Sequence, residues 1–285
     1  MASGTSNSKC EIRVERYRSQ MLVAALVARP GVTVTERAWV RAPRLFLMTA
    51  PESPVVKRPV MYQDWRDLTF LHWRYEPDVV QKLLPRGLTV QTFDGSAWIG
   101  LVPFVMDRVR FPGVPALPWM SRFPETNVRT YVSGPDGSDG IYFFSLDAAR
   151  LPAVLTGRWT YRLPYVWSRM SVTASPARFR YASARRWPGP RGARCDAVVT
   201  RGTPVTPGPL EYFLTYRFRL YSVVGGRLVH ALAAHGPWEL DTGTLESLDE
   251  SVLAAAGLPP AAGEPLVHTT SGVSVRIGGW RSRSR

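Results

Sequence analysis

The sequence predicts an α+β fold built on a mainly antiparallel sheet with a few short helices. Three observations predict it. Apolar residues recur at every second position over much of the chain, the period of a strand with one buried face. Gly- and Asp-containing turns join neighbouring apolar runs into hairpins. Hairpins outnumber any strand–helix–strand alternation, which argues against a parallel sheet.

Residues 1–60 differ from the rest. They open on a Ser/Gly/Asn stretch and end in TAPESPVVKRP (49–59), a proline-rich extended lead-in. The expectation is an N-terminal extension over 1–60, with Met48 as a candidate natural start, followed by one domain over 61–280 and a frayed tail over 281–285. MLVAALVA (21–28) is cut short by Arg29 and Pro30, so it suits neither a membrane span nor a signal core.

The next segments follow in order. EPDVVQKLLPRGL (76–88) carries Pro at a helix start and Pro85 and Gly87 at its end, so it reads as a short helix. TVQTFDGSAWIGLVPFVMDRVRF (89–111) reads as two strands turning across FDGS, and NVRTYVSGPDGSDGIYFFSLDA (127–148) as two more. AARLPAVLTGRW (148–159) reads as a helix, and SVTASPARFRYAS and CDAVVTRGT as strands. YFLTYRFRLYSVVGGRLVHALAAHGPWEL (212–240) alternates and turns at Gly225-Gly226. TLESLDESVLAAAGL (244–258) reads as an amphipathic helix closed by Gly257, and TSGVSVRIGGW (270–280) as a last strand.

Composition excludes several functions. A hydrophobic content of 45% and a charged content of 20% suit a globular chain. A net charge of +14 raises nucleic-acid binding. However, the lysines are Lys9, Lys57 and Lys82 alone, and the arginines are scattered among apolar residues without a basic block. No nucleic-acid partner and no membrane partner are expected. Cys10 and Cys195 are far apart and fit neither a disulfide framework nor a zinc site, so a reducing cytoplasm is expected. His72, His230, His235 and His268 show no metal spacing; His72 and His235 read as core histidines satisfied by backbone groups. GPDGSDG (134–140) lies between strands and reads as a hairpin loop, not a phosphate cradle. No cofactor and no metal are expected.

The candidate site rests on charged residues inside apolar strands. Arg66 sits in DWRDLTFLHW, Glu125 and Arg129 in FPETNVRTYV, Asp147 in FFSLDA, and Arg158 in TGRWTYRLPYVWSRM (156–170). A buried charge is costly unless paired. Two readings therefore fit: arginine–carboxylate struts between strands, or a pocket in which arginine grips an acidic small molecule. Trp159, Tyr161, Tyr165 and Trp167 would supply an aromatic wall.

DWRDLTFLHWRYEPDVVQKLLPRGL, FDGSAWIGLVPFVM, PETNVRTYV, GIYFFSLDA, YRLPY and HGPWEL, in this order, resemble the YqjF-like family, also called DUF2071, from about Tyr62 to Trp280. The family is related to acetoacetate decarboxylase. That resemblance implies a cone- or barrel-like sheet around a small pocket, and a tendency to form homo-oligomers. It also implies site residues. WRDLTFLHWRYEPDVVQKLLP is similar to the decarboxylase segment carrying its active-site arginine, which places Arg66 there. FPE is similar to the context of its pocket glutamate, which points to Glu125.

The lysine pair that forms the decarboxylase Schiff base falls on Tyr165 and Val166, and no lysine lies beyond Lys82. An imine requires a primary amine, so that mechanism is excluded here. Tyr216 also stands where the family has a glutamate. The expectation is a pocket for a small organic acid or ketone, with Arg66 and Glu125 as catalytic candidates and Arg129, Arg158, Tyr161, Tyr165 and Trp167 as binding candidates. A lyase- or hydratase-type reaction without an imine and non-catalytic binding of a small molecule both fit.

Overall fold

The computed structural model describes residues 51–282; the expectations placed on residues 1–50, Met48 included, and on 283–285 lie outside the described residues. Thirteen strands form one mainly antiparallel sheet. They are β1 (Pro59–Tyr75), β2 (Thr89–Val90), β3 (Ala97–Arg110), β4 (Phe123–Ser133), β5 (Asp139–Ala148), β6 (Tyr165–Ala174) and β7 (Arg178–Trp187). The remainder are β8 (Arg194–Pro204), β9 (Arg219–Val224), β10 (Arg227–His235), β11 (Asp241–Glu250), β12 (Leu266–Gly278) and β13 (Arg281–Ser282). Four short helices accompany them: α1 (Pro77–Gln81), α2 (Leu151–Thr160), α3 (Pro209–Thr215) and α4 (Val252–Ala255).

The sheet closes twice. Seven strands, β10–β9–β5–β4–β3–β1–β12, form a barrel because β12 pairs with β10 and β4 with β5. A second ring runs β5–β6–β7–β8–β11 and returns through β12, β1, β3 and β4. Both rings share five strands, and β3 among them is buried on both faces from Ala97 to Met106, so it reads as a near-continuous apolar run. On β3, Val102, Phe104 and Met106 join one core, while Ile99 and Leu101 join the other. That is the strand period of two, with a destination for each face. The second ring is filled by residues such as Leu71, Trp73, Leu101, Val199 and Val267, with Val252 and Leu253 of α4 packed among them.

Several elements depart from the sequence expectation. Residues 241–250 form a strand between β8 and β12, not a helix. Leu245 and Leu248 mimic a helical spacing because a bulge between Leu245 and Ser247 shifts the strand's facing by one residue. Tyr212 to Thr215 belong to α3 instead of a strand; Pro209 starts that helix, and Glu211 Oε2 accepts from Gly208 N at 2.8 Å. The first strand before FDGS is only β2, and it pairs with β4, not β3. Arg281 and Ser282 are not frayed but pair with β10. Helix α1 stops at Gln81, whose side chain then ties the following loop through Leu88 O (3.0 Å) and Val90 N (2.8 Å).

Candidate functional site

The seven-stranded barrel encloses a cavity of about 230 Å³. This is below the ~300–1,000 Å³ of drug-sized pockets and suits a small organic molecule. Its wall is mainly apolar, with Trp65, Phe70, Phe104, Phe143 and Trp238 prominent. Helix α2 lies along it and presents Pro152, Ala153, Thr156 and Gly157, positions that share one helix face. The loop between β3 and β4 supplies Phe111, Val114 and Leu117.

Polar groups enter this wall at a few points. Glu125, Asn127 and Arg129 stand on the inward face of β4 at two-residue spacing, so neighbouring Cα atoms lie about 7 Å apart. Glu125 is buried, and Tyr165 Oη donates to its Oε2 at 3.2 Å. Burial pushes the Glu125 carboxyl up to about 8; the Tyr165 hydrogen bond lowers it and the charge of Asp147 raises it. The group is therefore mostly protonated at neutral pH. Burial, together with the adjacent Glu125, also holds the Tyr165 phenol well above its ordinary range.

Arg129 is buried and, among the described residues, has no carboxylate within 4.0 Å. Its Nη2 donates to Leu214 O at 3.3 Å, and its guanidinium lies over the Phe70 and Tyr131 rings at 5.3 and 5.8 Å. Its Nε has no partner, and neither has Asn127 Oδ1. Arg129 and Asn127 both belong to the cavity lining, and each carries one buried polar atom that no described residue hydrogen-bonds. Arg217 and Arg219 also line it. Arg217 is paired with Asp139, whereas Arg219 Nε is unmatched.

The structure brings Glu125, Arg129, Tyr161 and Tyr165 together in the lining and leaves Arg66, Arg158 and Trp167 out of it. Arg66 follows Trp65, which faces inward, so strand alternation turns Arg66 away. It is half-exposed and bonds Asp64 at 3.3 Å. The inward facing then shifts to Leu68 and Phe70 through an irregularity at Asp67, whose φ is +49°. Opposite stands Gly272 at φ +120°, where a Cβ would meet Trp65 O at 1.8 Å. Arg158 acts as a strut, donating to Tyr165 O at 2.7 Å. Trp167 lies under Arg186, and Trp159 points to solvent. Asp147 forms a buried pair with Arg185, with Nε and Nη2 both at 2.8 Å from its oxygens, so here the strut reading holds.

His235 is buried and bonded to the backbone carbonyl of Gly236, as the sequence leads one to expect, but it also lines the cavity beside Trp65 and Trp238, which sequence reasoning missed. Among the four histidines it alone does so. Its position, two residues after Ala233 on the inward face of β10, was the available signal.

Comparison with known proteins follows this geometry. The family model DUF2071, an uncharacterized conserved protein, matches residues 62–274. Uncharacterized protein YqjF of Bacillus subtilis is 35% identical over 211 residues, covering 73% of this chain and 86% of its own. Among solved structures, the enduracididine biosynthesis enzyme MppR complexed with pyruvate superposes with a TM-score of 0.58 at 15% identity, covering 82% of this chain and 93% of its own. An acetoacetate decarboxylase-like enzyme from Sphingomonas wittichii RW1 gives 0.58 at 17% identity, over 84% and 98%. Acetoacetate decarboxylase from Legionella pneumophila gives 0.55 at 14% identity, over 84% and 93%. At these identities the structural likeness establishes the acetoacetate decarboxylase-like fold. Among the described residues no helix is long and apolar enough to cross a membrane.

Proposed function

The chain belongs to the DUF2071 family, and we propose that it binds a small organic acid or ketone in the barrel cavity and acts on it as a lyase- or hydratase-type enzyme without forming an imine. The observation that carries this reading is Arg129. A guanidinium that is buried, lines a cavity and lacks a carboxylate among the described residues is complementary to an anion, and alone it is expensive to keep. Asn127, two residues before it on the same face of β4, is the neighbouring polar side chain of the lining.

Glu125 supplies the chemistry. Protonated in its apolar surroundings, it can donate to a carbonyl or a departing hydroxyl oxygen, while Tyr165 orients the carboxyl. Among the described residues no lysine lines the cavity. The roles first assigned to Arg66 pass to Arg129. The pyruvate complex of MppR, a protein of the same fold, agrees in ligand size and charge.

The second reading, a non-catalytic binder, draws on Tyr165: a phenol stands where the resemblance puts the reactive lysine. Thermal unfolding against a panel of 2-oxo acids, hydroxy acids and aromatic carboxylates tests both. A ligand at about 100 times its Kd adds roughly 2.7 kcal/mol. Stabilisation of wild type that disappears in Arg129→Met supports the pocket, and conversion of that ligand by wild type but not Glu125→Gln separates enzyme from binder. A flat response across the panel refutes both.

A further inference from the structure

We propose that His235 is the proton-accepting partner of Glu125, so that the cavity enolises a 2-oxo acid by taking a proton from the carbon next to the carbonyl. This rests on the pocket reading above and adds the base that reading lacks.

The tautomer of His235 follows from one contact. Nδ1 lies 2.7 Å from Gly236 O, and a carbonyl oxygen only accepts, so Nδ1 carries the proton. In the neutral ring Nε2 is then a lone-pair acceptor. No described residue hydrogen-bonds it, and the ring lines the cavity. The other histidines are placed differently: His72 Nε2 is tied to Tyr131 Oη at 2.6 Å, His268 Nε2 faces Glu211 at 3.7 Å, and His230 lies outside the lining. The His235 ring is held by Phe218, Trp238 and Trp65, with centroids at 4.8, 5.0 and 6.2 Å.

The charged groups around the two partners favour this assignment. Arg129 on β4 is the charged group that acts on the His235 ring; Arg217, paired with Asp139, and Arg219 also belong to the lining. Burial, joined by Arg129, pulls the His235 ring down to about 4 despite its bond to Gly236. Glu125 faces Tyr165 of β6 and lies near Asp147 of β5, and burial pushes it up to about 8. Between these values the histidine is unprotonated and the glutamate protonated. Environments that drive two titratable groups apart in this way set out an acid and a base.

The step balances within the protein. With the ligand carboxylate on Arg129, Nε2 takes the proton from the carbon. The C–H electron pair forms the C=C bond, and the carbonyl π pair takes the proton of Glu125. An enol, a histidinium and a glutamate carboxylate result. Reversal returns a proton from the histidinium, and in D₂O that proton is a deuteron.

The test is deuterium wash-in at C3 of 2-oxobutanoate, followed by proton NMR, beside thermal stabilisation by the same compound. His235→Asn keeps a donor for Gly236 O but removes the base; His235→Gln places an amide near Nε2. Melting temperature and circular dichroism identify which variants fold. The expected result is exchange by wild type that falls at least about 100-fold in the folded variant, with stabilisation by 2-oxobutanoate retained. Exchange unchanged in the variant, or a wild type that is stabilised yet does not exchange, overturns His235 as base while leaving the pocket standing. Absence of any stabilisation of wild type overturns the pocket reading, and this proposal with it.

Discussion

Tyr165 Oη donates to Glu125 Oε2 at 3.2 Å, joining the start of β6 to the inward face of β4. Both side chains lie in the wall of one cavity. The phenol is held from behind by α2: a Cβ at Gly157 would meet the Tyr165 ring at 2.4 Å, so only glycine leaves room for it. One hydrogen bond thus reports on burial, proton affinity and ring placement at once.

Glu125 makes stability depend on pH. Its carboxyl binds a proton more tightly in the folded chain, at about 8, than the ordinary 4.5 of an unfolded glutamate. Folding therefore takes up a proton between those values. Its contribution is complete below pH 4.5 and is lost as pH rises through 8, by up to about 5 kcal/mol. Glu125→Gln should flatten this decline, so that the variant is the more stable of the two at pH 9. Urea unfolding of both proteins from pH 5 to 9 gives the comparison; parallel curves would contradict a raised carboxyl.

Arg129 and Arg66 should behave oppositely. Arg129→Met removes an unmatched buried charge and fills its space, so stability should fall by no more than about 1 kcal/mol while stabilisation by 2-oxo acids disappears. Arg66→Ala loses a half-exposed pair with Asp64, worth about 0–1 kcal/mol, and should retain ligand response. Thermal shifts with and without ligand separate the two arginines.

Gly157→Ala drives a methyl into the Tyr165 ring. Overpacking of this kind costs about 1–3 kcal/mol. The displaced phenol should also release Glu125, moving the pH range of the decline described above. A variant with unchanged stability and an unchanged pH curve would show that Tyr165 is free to move.

Asp147→Asn tests the strut. It leaves the buried Arg185 without its charge partner and should cost about 3–5 kcal/mol in chemical denaturation. Asp147→Leu combined with Arg185→Met should recover most of that loss. An Asn variant as stable as wild type would mean that Arg185 is matched elsewhere.

The strands and hairpins were legible because their signals are local. A continuous apolar run marks β3, turn residues separate β4 from β5, and Gly225-Gly226 turns β9 into β10 within a few residues. Pro152 at the start of α2 is equally local. Where a local pattern was ambiguous it misled: Leu245 and Leu248 look helical, and a bulge is invisible in composition. The same holds at Asp67, whose positive φ sets the facing of Leu68 and Phe70.

By itself, then, the sequence determined an α+β chain rich in antiparallel hairpins, a chain with no lysine beyond Lys82, and Glu125, Arg129, Tyr161 and Tyr165 as candidates. Only the tertiary structure decided that β10 meets β12 and β4 meets β5, closing one ring around a cavity and another around a filled core. It alone decided that Arg66 faces out, that Arg129 has no carboxylate within 4.0 Å among the described residues, and that His235 faces in. The physical reason is that facing and pairing depend on residues distant in sequence: β3 and β4 bury both sides, so apolarity does not tell which side looks into the cavity.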